Sequence, residues 1–174
     1  MQTLENMKTR RSIRKYKSQM VSKDLIAKVM EAGSYAATGM NKQSPIIVAV
    51  TKKETRDKIA QVNAKIGGWQ EGFDPFYGAP VILIVLADAE RATAVNDGSL
   101  VLGNMMLAAH ELGLGSCWIH RAKEEFKQPE WKEWLKSIGV EGDYIGVGHL
   151  ALGYVDGEYP EKLARKDGWG YWVE

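Results

Sequence analysis

Cysteine is almost missing from this 174-residue chain; the only one is Cys117. A single thiol permits no intrachain disulfide and no cysteine-rich metal site, and it fits a reducing, cytoplasmic setting. Long apolar runs are missing too. The longest, Val81 to Ala87, is far too short to cross a bilayer and reads as a buried strand. The first residues are charged and include no apolar stretch, which argues against a signal peptide. Net charge is nearly absent: 23 basic residues against 22 acidic ones leave +1. That balance offers no overall field for gripping nucleic acid or a membrane surface. His110, His120 and His149 are scattered without metal-ligand spacing, so no metal site is expected. Gly113-Leu114-Gly115 lacks the third glycine of a dinucleotide fingerprint and follows a helical pattern rather than a strand.

What is present is a core. Hydrophobic residues make up 45% of the chain, enough for one domain spanning residues 1–174. A short helix is expected over 3–9. Ser22 is placed to cap a second helix, with Leu25, Ile26, Val29 and Met30 as its apolar stripe and Gly33 as its stop. Ile46 to Thr51 is β-branched and reads as a strand. A helix over 54–66 follows, ended by Gly67-Gly68. Residues 67–78, with Trp69, Phe73, Phe76 and Tyr77, read as a loop, either a lid over a site or a plug over the core. Pro80 opens the central strand. A buried helix runs from Asp97 to Leu112 and closes at Gly113. Gly115 to Ile119 is a short strand, Pro129 starts a last helix through Trp131, Trp134, Leu135 and Ile138, and Tyr144 to Tyr154 is the final strand. This irregular alternation predicts a layered α+β domain.

On a neutral chain, two compact basic clusters stand out: Arg10-Arg11-Ser12-Ile13-Arg14 and Arg165-Lys166. They suit one small, strongly anionic ligand, and a phosphate group fits guanidinium forks and a hydroxyl. In an extended segment Arg10, Ser12 and Arg14 share a face while Ile13 turns inward. A solvated basic turn is the competing reading. A second segment, Ala36-Ala37-Thr38-Gly39-Met40-Asn41-Lys42-Gln43-Ser44-Pro45, offers the donors and acceptors of Asn41 and Gln43 to the edge of a heterocycle, or equally to its own backbone.

Taken in order, these segments resemble the FMN-dependent nitroreductase family. Gly78-Ala79-Pro80 before an apolar strand, Gly113-Leu114-Gly115-Ser116-Cys117-Trp118-Ile119 after a long helix, and Leu152-Gly153-Tyr154 ahead of Arg165-Lys166 complete the resemblance over almost the whole chain. It implies a central, mostly antiparallel sheet flanked by helices, with non-covalent FMN at a homodimer interface. Arg10, Ser12 and Arg14 would then hold the phosphate or the pyrimidine edge, with Arg11 adjacent. Asn41 and Gln43 would face the flavin or its ribityl chain across the interface. Trp118, Ile119 and His120 would run along the isoalloxazine, and Arg165 and Lys166 would clamp the phosphate. The implied reaction is ping-pong: NADH or NADPH delivers electrons through flavin N5 to a nitroaromatic, quinone or similar small acceptor. No protein side chain need act as catalyst, because the flavin carries the chemistry. The alternatives are a specialised flavin enzyme of dehalogenase, flavin-cleaving or azoline-oxidase type, and a non-enzymatic FMN storage module. Relative to many such proteins the middle of this chain is short. Its aromatic end, Trp169, Tyr171 and Trp172, needs a cover, supplied by a partner subunit or by its own.

Overall fold

The sheet forms around the longest apolar run. In a computed structural model describing residues 2–174, β2 (Val81–Asp88) lies inside a four-stranded sheet of order β1-β2-β4-β3. β1 is Ile46–Val50, β3 is Gly115–Ile119 and β4 is Tyr144–Gly153, and all three pairings are antiparallel. Every side chain from Val81 to Ala87 is wholly buried. Alternation along the strand divides them between two cores. Ile82, Ile84 and Leu86 face Ile59, Phe76, Phe126 and Trp131. Val81, Leu83, Val85 and Ala87 face Val29, Val101, Leu102 and Met105. Each large side chain buried this way contributes roughly 1.5–3 kcal/mol, which is why this strand anchors the fold.

The helices are α1 (Thr3–Thr9), α2 (Lys23–Ser34), α3 (Lys53–Ile66), α4 (Ala94–Glu111), α5 (Ala122–Glu125) and α6 (Pro129–Ser137). Ser22 caps α2 as its sequence suggests, accepting from the Leu25 N–H. Gly33 does not stop that helix. It lies inside α2, buried where α2 crosses α4, and a Cβ there would come within 2.8 Å of Met105 Cγ. The glycine is needed for close approach, not for a turn. α4 begins at Ala94, three residues before the expected start, and Asp97 sits inside its first turn. The four-residue α5 and a 3-10 turn at Gly39–Asn41 had no distinct sequence signal.

The two ends of the chain meet along the sheet. The Ile13 N–H donates to the Ser116 carbonyl at the start of β3, and the Lys17 N–H donates to the Tyr154 carbonyl just past β4. The chain leaving β4 then returns beside the first cluster, with the Asp156 N–H donating to the Lys15 carbonyl. Among the described residues no helix is long and apolar enough to cross a membrane.

Candidate functional site

The first basic cluster is extended, as its alternation requires. Ile13 is buried and Arg14 is exposed beside it. Ser12 bridges to Ser116, so the cluster is fixed against β3 by backbone while its side chains stay available. Arg10 Nη1 is buried without a hydrogen-bond partner. A buried guanidinium nitrogen left unpaired is costly, and an incoming phosphate oxygen would satisfy it. Arg11 behaves differently. Its guanidinium donates to the carbonyls of Lys8, Arg10 and Glu161, and its backbone N–H donates to the Tyr159 hydroxyl. It braces the returning tail rather than facing open space.

Arg165 and Lys166 lie in that tail, exposed and held by no hydrogen bond or ion pair among the described residues. Arg165 lies only four steps along the chain from Glu161, which Arg11 holds. Extended chain covers at most about 14 Å in that span, so the second cluster stays within reach of the first.

The amide segment is strained. Met40, Asn41 and Gln43 all take left-handed conformations, with φ of 51°, 52° and 49°. Such residues are held only where surrounding structure fixes them, and they gather at binding sites. Asp97 does part of the holding: its carboxylate accepts from the Gly39 N–H and from the Thr93 hydroxyl. Thr38 Oγ1 accepts from the Gln43 N–H. The Asn41 and Gln43 side chains are exposed, and Ser44 Oγ is buried without a partner. Within the chain no hydrogen bond joins this segment to residues 10–14, among the described residues.

β3 ends in Trp118 and Ile119, and His120 follows it. The Asn63 side chain, wholly buried, donates from Nδ2 to the His120 carbonyl at 2.9 Å and so fixes the turn after the strand. His120 itself is exposed. Behind the turn, Glu125 and His149 are wholly buried with Oε2 and Nε2 2.9 Å apart. His149, in β4, therefore belongs to the core. Burial pushes the Cys117 thiol above its usual pKa, with Arg14 and Ser12 pulling the other way. It is a neutral packing group, not a nucleophile.

The aromatic loop joins these parts. Arg121 Cζ lies 5.7 Å from the Trp69 ring centroid, Trp69 and Phe73 are 4.9 Å apart, Phe73 and Tyr77 6.2 Å, and Arg14 Cζ is 5.9 Å from Tyr77. One row of rings thus runs from the first basic cluster to the residue after His120. Phe76 turns the other way, wholly buried against His149. The loop is both a plug and a wall. Asn63, Asp97 and Arg121 were not singled out from sequence; only the odd placement of a large cation at a strand-to-helix turn could have pointed to Arg121.

Residues 7–154 match the Nitroreductase family, and the chain belongs to it. A curated relative from Methanothermobacter thermautotrophicus, described as a putative NADH dehydrogenase/NAD(P)H nitroreductase, is 34% identical over 68% of this chain. The match spans 60% of that relative's length. A Bacteroides fragilis nitroreductase solved with bound FMN is 31% identical, with a TM-score of 0.88 and full coverage of both chains. A Desulfitobacterium hafniense nitroreductase, also with bound FMN, is 25% identical, with a TM-score of 0.87 over 99% of this chain and 100% of its own.

Proposed function

We propose that this chain is an FMN-dependent NAD(P)H oxidoreductase of one domain, acting as a homodimer on a small aromatic or quinone-like acceptor. The observation that carries the reading is the buried, unpartnered Arg10 Nη1 beside Ser12 and Arg14, on a fold whose relatives hold FMN. The residues present fit that group. Arg10, Ser12, Arg165 and Lys166 suit its phosphate, and Arg14 supplies a cation toward the pyrimidine edge. Asn41 and Gln43, held in strained backbone and pointing to solvent, fit a flavin shared across the dimer interface, as does the unpaired Ser44 hydroxyl. Bound FMN would supply the two-electron chemistry, leaving the protein to bind, orient and exclude water. The 118–120 segment, clamped by Asn63, offers rigid backbone to the ring, and the Trp69–Phe73–Tyr77 wall offers a flat surface to reductant and acceptor in turn. Arg11 braces the tail that carries Arg165 and Lys166.

The test is direct. Purified protein should be yellow, heat should release FMN, and NADH or NADPH should bleach it anaerobically, with a quinone or nitroaromatic restoring the colour. Each charge-assisted hydrogen bond is worth about 1.5–3 kcal/mol, so Arg10→Ala should weaken FMN binding at least ~10-fold. A colourless protein that takes up no FMN, or an Arg10→Ala variant that binds it as well as the parent, would sink the reading.

A further inference from the structure

Arg121 occupies the most unexpected position in the molecule. It takes a left-handed conformation, φ 79°, at the turn between β3 and α5. A side chain makes that backbone unfavourable, and glycine would relieve it. The turn nevertheless carries the largest cation available. Room has been made for it: a Cβ at Gly67 would lie 2.5 Å from Trp69 Nε1 and 2.8 Å from Arg121 Nε. Gly67 itself has φ −75°, so this glycine answers a need for space, not for conformation. Strain at Arg121, clearance at Gly67 and the guanidinium over Trp69 are separate observations that converge on one corner.

The other arginines nearby are committed. Arg56 is closed by Asp74 and the Ala79 carbonyl. Arg11 is filled by backbone carbonyls. Arg10 and Arg14 belong to the cluster assigned to FMN. Arg121, half-buried, has no carboxylate partner among the described residues. Beside it the aromatic wall is open, with Trp69 48% and Phe73 39% exposed. A guanidinium laid on a ring is weakly hydrated and gives up little water when an anion arrives.

We propose that Trp69 and Arg121 form an acceptor-selecting corner, favouring planar aromatic acceptors that carry an anionic substituent on the ring. This rests on the function proposed above, whose substrate class it names. The substituent belongs on the ring because Arg121 sits on the aromatic wall itself. In a dinucleotide the charges lie on a pyrophosphate, a ribose away from the nicotinamide.

Two measurements decide it. First, benzoate and benzamide are titrated into FMN-loaded protein and followed through the Trp69 indole N–H resonance. Benzoate should bind about tenfold more tightly, one charge-assisted contact's worth, and Arg121→Gln should erase the difference. Arg121→Gly, which keeps the turn and removes the side chain, should erase it equally, while Arg121→Lys should keep part of it. Second, kcat/KM for 4-nitrobenzoate is compared with that for its methyl ester. The parent should favour the anion, less so at high salt, and Arg121→Gln should bring the ratio close to one. Equal binding of benzoate and benzamide, or an anion preference that survives Arg121→Gln, overturns the proposal. So does a variant that slows bleaching by NADH but not by an uncharged dihydronicotinamide and leaves the acceptor ratio unchanged, because the corner then serves the reductant. A protein that takes up no FMN defeats the function above, while the benzoate titration on the same protein still decides the role of Arg121.

Discussion

The 67–78 loop and the 157–174 tail are alike in composition and opposite in fate. Both are punctuated by glycine, and each carries four large aromatics. In the loop, Asp74 ties everything down. Its carboxylate pairs with Arg56 and accepts from the N–H groups of Phe76 and Gly78, 2.9 and 2.8 Å away. Phe76 is then driven wholly into the core, and Trp69, Phe73 and Tyr77 line up as a wall. The tail is anchored at its root, where Tyr159 meets Arg11 and His110 and Arg11 Nε donates to the Glu161 carbonyl. Beyond it Trp169, Tyr171 and Trp172 are 79%, 90% and 90% exposed. Aromatic content alone does not place a segment. A carboxylate aimed at three donors does, and a segment without one leaves its rings exposed.

Removing the loop's anchor should therefore have the largest effect. Asp74→Ala leaves Arg56, nearly buried, with Asp57, 3.3 Å from Nη1, as its remaining charge partner and frees two backbone N–H groups. Breaking a buried pair costs about 3 kcal/mol or more when the remaining charge is left unpaired; with Asp57 still beside Arg56 and Asp74 partly exposed, the loss here should be roughly 1–3 kcal/mol. Urea unfolding should show that loss, with Asp74→Asn falling between the two. A variant as stable as the parent would mean that Phe76 alone holds the loop and that Asp74 is incidental.

Replacing Trp169, Tyr171 and Trp172 together with serine should do the reverse. The subunit's own stability should change by less than about 0.5 kcal/mol, because exposed side chains contribute little. Dimer affinity, read by sedimentation, should fall at least ~10-fold, since each buried aromatic covers about 150–250 Å². If the dimer is untouched and the subunit is destabilised instead, the tail packs on its own chain and the contrast with the loop disappears.

Much of this was legible in the residues, and the failures have physical causes. The run Val81–Ala87 announced the central strand because burial on both faces demands an unbroken apolar sequence. Ser22 announced its helix because capping is a local event. Gly33 misled because close packing and chain reversal use the same residue, and only the α2–α4 crossing separates them. The inward turn of Ile13 was legible from the alternation of an extended segment, and it is buried. That Arg11 braces the tail was not visible, because its partners are backbone carbonyls, which every residue has. Asn63 and Asp97 were hidden for the converse reason: each holds the backbone of a segment more than 50 residues away, and no local pattern encodes that. Arg121 stood in plain sight beside His120, but its meaning depends on a dihedral angle.

The Tyr159 anchor of the tail gives the smallest effect and fixes its own sign. The Arg11 N–H donates to the Tyr159 oxygen and the Thr9 hydroxyl donates to the Glu5 carbonyl. Tyr159 is thereby left to donate to His110 Nδ1, and Nε2–H to donate to Thr9 Oγ1, at 3.1 and 2.9 Å. The chain of bonds is complete with neutral His110. Burial lowers the His110 pKa, Arg10 and Arg11 lower it further, and Glu111 opposes them; Glu5 and Lys162 line the same cleft. With the folded value below the unfolded one of about 6.5, the unfolded chain binds more protons between the two. The contribution is fully present above about pH 6.5 and is lost as pH falls through the folded value. Hydrogen exchange at the Arg11 amide should accordingly rise on acidification below that point more than its intrinsic rate explains. The excess should shrink in Tyr159→Phe, which has lost the hydroxyl that the neutral ring accepts. An excess of the same size in Tyr159→Phe would show that the root of the tail is held by something other than this histidine.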